Sequence, residues 1–414
     1  MPTGWWGSRN WWRSGMPNVP FRTLDDMPPL QGRRVLVRVD FNVPVDDQGR
    51  ITDDTRIRGA LDTLRELSNR GARVVVASHR GRPKEWGGAS LDIAAERLEK
   101  LMNRSVVFVD DVVGLEAEAA VERLRDGDVL VLQNLRYEPG EKKADPAFAE
   151  KLARWADLYV NDAFGTAHRG DASVALLPAL RPGYAGRLLA RELTALQGLV
   201  DGARRPYWAV VGGSKVSDKV GLIGALLDRV DGLAVGGGMA NTFLVAQGYD
   251  MGASKVETEA VAIAAEILAR AEKSNIPILL PQRVVAARGF AQDAPSREAV
   301  PGDLTADEMA LDVSPAAVDV MLEAMTDAAT VLWNGPMGVF EWERFQAGTM
   351  RMAEGLAALG AQVVVGGGDS VAAVTQAGIA DRLAHVSTGG GAALELLEGK
   401  TLPGVRALIN SPRG

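Results

Sequence analysis

No cysteine occurs among the 414 residues, which excludes disulfides, thiolate metal sites and cysteine nucleophiles and fits a reducing, cytoplasmic setting. Basic charge is also short: 46 lysines and arginines stand against 53 acids, a net charge of -7. That balance argues against a nucleic-acid surface, so an anionic ligand must be caught by clustered residues. Long apolar runs are missing. The longest uncharged stretch, Gly232 to Tyr249, is studded with glycine, asparagine, threonine and glutamine, so no membrane span is expected. The opening "MPTGWWGSRNWWRSGMPNVP" sets Trp5, Trp6, Trp11 and Trp12 beside Arg9 and Arg13 but lacks the apolar core of a signal peptide. Residues 1–15 read as a disordered extension rather than an interfacial anchor, with the folded chain starting near Met16. Two nucleotide fingerprints are absent as well. Leu394 occupies the glycine position that a Walker A loop would need before Gly399, and Asn241, Val371 and Leu394 replace the last glycine of a GxGxxG turn.

What is present is a regular alternation. Short β-branched runs such as "RRVLVRVDF", "ARVVVASH", "DVLVLQN", "YWAVVGG" and "AQVVVGGG" are separated by segments of helical periodicity, among them "RGALDTLRELSNRGA" and "VETEAVAIAAEILARAEKSN". The pattern predicts an α/β protein of parallel sheets covered by helices. Ten candidate strands exceed one comfortable sheet, so two doubly wound, Rossmann-like domains are expected. The Pro/Gly cluster from Arg181 to Gly186 marks the break. Residues 16–186 form the first domain, with a tail, 403–414, packing back on it; residues 187–402 form the second, opened by a connecting helix over 187–199. Gly183 and Gly186 are the expected hinge positions.

Ligand sites in such sheets collect at the carboxyl ends of strands, and the two halves offer different chemistry there. The first half supplies Asp40 and Asn42 in "VDFNVP", His79 and Arg82 in "SHRGRP", Arg136 in "NLRYEPG", and His168 and Arg169 in "TAHRG", with Arg56 opening the helix after the first strand. Each alone is an ordinary surface charge. Four arginines and a histidine at equivalent strand ends of an acidic protein make a cradle for a small, multiply charged anion. The second half supplies glycine turns: Gly212 and Gly213 in "VVGGSKVSDK", Gly237 and Gly238 in "AVGGGMANTF", Asn334 in "LWNGPMG", and Gly367 and Gly368 in "VVGGGDSVAAV". Such turns let a base and a phosphate tail approach backbone closely. Lys215 and Lys219, four residues apart, are expected on one helix face where both can reach a polyphosphate. Asp369 stands where a phosphate would be welcome, either capping its helix or holding a cation between itself and a phosphate.

From about Thr23 onward these ordered strings, with "GPMGVFE" and "HVSTGGGAALELLEGK" beside them, resemble the phosphoglycerate kinases. The resemblance implies reversible phosphoryl transfer between 1,3-bisphosphoglycerate and ADP, with magnesium. It places the three-carbon acid on Asp40, Asn42, Arg56, His79, Arg82, Arg136 and Arg169. It places the nucleotide on Gly212, Gly213, Lys215, Lys219, Gly237, Gly238, Ala310, Asn334, Glu341, Gly367, Gly368, Asp369 and Ser370. Lys219 then holds nucleotide phosphates, Glu341 the ribose and Asp369 the Mg²⁺. Arg56, Lys215, Lys219 and Gly368 make up the catalytic set, acting after domain closure. The implied protein is a cytoplasmic monomer working on small molecules, with neither nucleic acid nor membrane as partner.

Two stretches depart from the family pattern. Gly170 and Asp171 stand where Ala-His is common, setting a negative charge beside Arg169. In "ALDVSP", Ala310 and Ser314 replace glycines, which is expected to narrow the base pocket. A nicotinamide-dependent dehydrogenase on a similar fold and a non-enzymatic binding protein are the alternative readings. The missing dinucleotide fingerprint and the arginine-rich first half weigh against the former.

Overall fold

The structure, a computed structural model, describes residues 21–83 and 89–413; the extension expected at 1–15 and the start near Met16 lie outside them. The chain divides into two compact units. One runs to Thr194 and takes up the chain again from Thr401; the other is Ala195–Lys400. The division falls inside the helix Arg187–Asp201 rather than at its start.

The first unit is built on a six-stranded parallel sheet of β1 (Arg34–Arg38), β2 (Arg73–Ala77), β3 (Val106–Val109), β4 (Val129–Leu132), β5 (Leu158–Asn161) and β6 (Gly183–Ala185), in the order β3-β4-β2-β1-β5-β6. Helices on both faces explain why strands such as "VLVL" of β4 are apolar and buried throughout rather than alternating. On one face Val35, Val37, Val74, Val76, Val129 and Val131 pack with Leu64 and Leu98 from the covering helices Leu61–Asn69 and Asp92–Met102. Register sets Arg38 beside Ala77 and Asn161, so the segments that follow β1, β2 and β5 emerge side by side.

The second unit holds another six-stranded parallel sheet: β7 (Tyr207–Val211), β8 (Gly232–Val235), β9 (Ile278–Leu279), β13 (Thr330–Asn334), β14 (Gln362–Val365) and β15 (His385–Val386), ordered β15-β14-β13-β7-β8-β9. A three-stranded antiparallel sheet accompanies it, β11 (Ser296–Ala299), β10 (Val284–Arg288) and β12 (Glu308–Val313) in that order. All ten expected strands form. The antiparallel sheet and the short β6 and β15 were not anticipated, because "SREA" and "HV" carry no apolar run to announce a strand. Among the described residues no helix is long and apolar enough to cross a membrane.

The start of the helix Arg187–Asp201 is tied into the first unit. Arg187 forks onto Asp25 (2.6 and 2.9 Å) and Glu66 (2.8 Å), and its backbone N–H donates to the Thr63 hydroxyl. Asp162 Oδ1 accepts from the N–H groups of Leu188 (2.9 Å) and Leu189 (3.2 Å), satisfying donors that the helix itself leaves open. Gly186 is required by that cap, since a Cβ there would meet the Asp162 carboxylate at 2.2 Å. Space, rather than hinge freedom, is the reason for glycine at this position. The tail returns to the same unit: Gly404 N–H donates to Ala167 O, and Arg22 donates to Ser411 Oγ at 2.7 Å.

Burial pushes the Asp162 carboxyl up from 3.8 to about 7, against the Thr63 hydroxyl and the two helix N–H groups that favour its charge. With the folded value raised, the contribution of this group to stability is complete below pH 3.8 and lost as the pH rises through about 7. Asp162→Asn retains the Oδ1 acceptor and is expected to gain thermal midpoint relative to the parent as pH climbs from 3.8 through 7. A midpoint difference that stays constant over that range would mean that folding does not raise the pKa of this carboxyl.

Candidate active site

Parallel strands share a direction, so their carboxyl ends lie along one edge of the sheet. In the first unit the neighbouring strands β4, β2, β1 and β5 bring Arg136, His79, Asp40 and Arg169 to that edge, while Arg56 arrives on the short helix Thr55–Gly59. Arg56 Nη1 donates to Asp40 Oδ2 at 2.9 Å. Asn42 accepts the Gly81 N–H at 2.8 Å, and Arg136 donates to Gly81 O at 2.9 Å, so one turn links two cradle residues. His79 is buried, with Arg169 Nη1 at 3.2 Å from Nε2. Arg82 is exposed and makes no hydrogen bond among the described residues, so it alone of the expected cradle set is not tied to the others. His168 is half-buried and carries no role here.

The positive charge is crowded. Burial, and then Arg169, lower the Arg136 guanidinium below its ordinary value, with Asp171 and Glu141 opposing. Burial also drives the His79 imidazolium far below the usual histidine range, reinforced by Arg38, Arg136, Arg169 and Arg56, so the ring is neutral. Asp171 is buried, and its carboxylate opposes the lowering of Arg136 and adds to the raising of Glu141. Arg38 was missed altogether. It ends β1, is wholly buried, and approaches His79 Nδ1 to 3.3 Å through Nη2. An arginine inside a strand otherwise apolar on both faces was the available signal.

The second unit places its loops after β7, β8, β13 and β14. Many of their glycines are required by one another. A Cβ on Gly212 would lie 2.1 Å from Pro336 O, and one on Gly237 2.6 Å from Gly213 O. Close packing of loop on loop therefore accounts for these glycines without a ligand. Gly368 is different: nothing lies within 4 Å of its Cβ position, and it opens the helix Gly368–Gln376 toward solvent. Gly367, at φ +92, turns the chain into that helix, and Ser370 Oγ accepts from Gly335 N–H.

Lys215 and Lys219 do not share a helix face. Lys215 is exposed in the loop, Ser217–Lys219 is a single 3-10 turn, and Lys219 itself, at φ -127 and ψ 4, breaks the path into the helix Val220–Leu226. Lys219 is held on Asn334, donating to its backbone carbonyl at 2.7 Å and to its side-chain oxygen. Burial lowers the ammonium to about 8, with Asp369 and then Asp218 pulling the other way. Ser314 is fully buried and caps the helix Pro315–Ala324 by accepting from Ala317 N–H. Ala310 sits in β12, its N–H donating to Ser254 Oγ at 2.8 Å. Glu341 is exposed, next in sequence to Trp342, which stacks on Phe290 with centroids 4.5 Å apart. That aromatic surface was not anticipated.

Asp369 lies exposed in the first turn of its helix and accepts no hydrogen bond among the described residues, so the capping reading fails. Among the described residues no three acidic or histidine side chains gather as a metal cage. A lone carboxylate beside a helix start fits a hard cation that takes its other oxygens from water and phosphate, as Mg²⁺ does.

Comparison with known proteins gives one family for sequence and fold alike. A family model described as phosphoglycerate kinase matches residues 24–400. Phosphoglycerate kinase of Thermosynechococcus vestitus is 50% identical over 388 residues, spanning 92% of this chain and 96% of its own. That of Chloroflexus aurantiacus is 51% identical over 384 residues, spanning 91% and 96%. Among solved structures, phosphoglycerate kinase from Coxiella burnetii superposes with a TM-score of 0.85 at 38% identity, covering 94% of this chain and 99% of that one. The enzyme from Pyrococcus horikoshii OT3 gives 0.83 at 30% identity with the same coverage.

The position of Lys219 sets a pH dependence. Its ammonium form attracts polyphosphate, and in the unliganded protein that form prevails below about 8. The kcat/KM for ATP, which reports the free enzyme, is expected to fall as pH rises through about 8, and Lys219→Arg is expected to remove the inflection. An inflection unchanged in the arginine variant assigns it to another group.

Proposed function

The chain belongs to the phosphoglycerate kinase family, and on that premise we propose how its residues divide the work of moving a phosphoryl group reversibly between 1,3-bisphosphoglycerate and ADP. The acid is bound in the first unit by Asp40, Asn42, Arg56, His79, Arg82, Arg136 and Arg169. The nucleotide is bound in the second by the loops of Gly212, Gly213, Gly237, Gly238, Gly367 and Gly368 with Ala310, Asn334, Glu341 and Ser370. The observation that carries this division is the convergence of guanidinium groups on one sheet edge of the first unit.

The chemistry asks little of a base. A carboxylate nucleophile is already ionised near neutral pH, so the protein's task is to neutralise and align two polyanions. Arg56 and Lys215 contact the transferred group. Arg56 can do so because its bond to Asp40 uses Nη1 alone and leaves other donors of the fork for an incoming oxygen. Lys219 steadies the nucleotide phosphates. Mg²⁺, held by Asp369 when bound with nucleotide, supplies charge neutralisation at the phosphates. The protein works as a cytoplasmic monomer on small molecules, as membership of the family suggests, and its net charge of -7 weighs against nucleic acid as a partner.

A coupled assay of ATP consumption is expected to depend on both 3-phosphoglycerate and magnesium. Arg56→Ala and Lys215→Ala are each expected to retain well under a tenth of parental turnover. More than that leaves a loss below ~1.4 kcal/mol and removes the residue from the transition state. Since the two substrates are assigned to separate units, transfer requires the units to close on them. Solution scattering should show a smaller radius of gyration with both substrates than with neither; an unchanged radius discards closure.

A further inference from the structure

Arg38 is a buried charge that the reaction as described does not use. Its fork is fixed on every side: Nε donates to Ser173 Oγ at 2.8 Å, Nη1 to the Val39 carbonyl, and Glu141 Oε1 lies 4.0 Å from Nη2. Glu141, also buried, accepts the Ser173 hydroxyl at 2.6 Å and the Ser173 N–H at 2.9 Å. Tyr159 OH donates to Ser173 O at 2.8 Å. The Ser173 proton is thus committed to Glu141, and its lone pair to Arg38. Nη2, the remaining end of the fork, faces His79 Nδ1 at 3.3 Å.

His79 is neutral, so one ring nitrogen carries a proton and the other a lone pair. Both nitrogens face arginines, Nδ1 toward Arg38 and Nε2 toward Arg169 Nη1 at 3.2 Å. A guanidinium only donates, so only one of these contacts is a hydrogen bond. Burial decides which. Arg38 is 0% exposed and would leave a charged N–H without an acceptor, whereas Arg169 is half-buried and has solvent to turn to. The one other acceptor near Nδ1, Asp40 Oδ1, is 4.0 Å away, beyond hydrogen-bond reach.

We infer that Arg38 is a positioning residue that locks His79 with its proton on Nε2, so that the neutral imidazole and the Arg169 guanidinium donate together to one anionic oxygen of the bound acid. Without the acid, the 3.2 Å contact sets donor against donor; an oxygen accepting from both relieves it. The inference rests on the placement of the acid in the first unit.

The test is long-range proton–nitrogen correlation spectroscopy of the full chain labelled at its three histidines, with the His79 signals identified by their loss in His79→Gln. The expected spectrum has His79 protonated at Nε2 and bare at Nδ1, and adding 3-phosphoglycerate shifts both signals. Arg38→Met is expected to mix the tautomers and raise KM for 3-phosphoglycerate about tenfold, the worth of one hydrogen bond to a charged group, with a smaller change in kcat. Arg38→Lys, which restores a donor, should recover the Nε2–H form. A proton on Nδ1 in the parent protein overturns the inference even if neither variant folds. The expected tautomer with signals indifferent to 3-phosphoglycerate instead overturns the placement of the acid, and the donor role with it.

Discussion

Mutual repulsion among the guanidinium groups of Arg38, Arg56, Arg136 and Arg169, gathered on one sheet edge, is the constraint around which the first unit is arranged. Each group is held by a different counterweight. Asp40 takes Arg56, Ser173 and Glu141 take Arg38, a backbone carbonyl takes Arg136, and the neutral ring of His79 stands between Arg38 and Arg169. Neutralising all four with carboxylates would cancel the field that an anion must feel. Only Asp40 and Glu141 among these partners are carboxylates; a serine hydroxyl, a backbone carbonyl and an uncharged imidazole do the rest, which leaves the cradle positive. In a chain of net charge -7, this sheet edge is a local excess of positive charge.

On the proposed division of substrates, the second unit binds its anion by other means. Its loops pack closely on one another, a Cβ on Gly212 or Gly237 meeting the backbone of a neighbouring loop. Lys219 is held on Asn334 with its ammonium value lowered by burial, while Lys215 is exposed. A phosphate arriving at Lys219, as proposed, would raise that value, so binding would strengthen the charge that does the binding.

Much of this layout was legible in the chain. Apolar β-branched runs marked the parallel strands because strands covered on both faces cannot be polar, and the residues after them followed from the rule that sites sit at carboxyl ends. What escaped was whatever depended on tertiary context. Strand β11 is exposed and polar, and β10 and β12 carry only two valines and one valine among mixed residues, so no long β-branched run announced their sheet. The Lys215–Lys219 spacing read as helical, but the 3-10 turn starting at Ser217 placed one lysine outside any helix. The helix cap made by Ser314 was not read, although serine chemistry allows it. Arg38 was not singled out, and its contacts with His79, Ser173 and Glu141 come from residues distant in sequence.

Unmet hydrogen-bonding capacity is distributed with the same logic. In the first unit Arg136 Nε, Asn161 Nδ2, Asp162 Oδ2 and Asp171 Oδ2 are buried without a partner among the described residues, and all lie at or just beyond the carboxyl ends of β4 and β5. Buried polar groups left unpaired destabilise a fold, so a random scatter would be selected against wherever a partner could be built. Their concentration at the edge that carries the cradle places the unpaired atoms where polar ligand chemistry is assigned. The donor-against-donor contact of His79 and Arg169 belongs to the same class, as a local conflict that the interior could have removed by supplying one carboxylate. A cradle satisfied in advance by such a group would be more stable and would have less to offer an acid; the residual conflict is the part of the binding energy that the fold keeps in reserve.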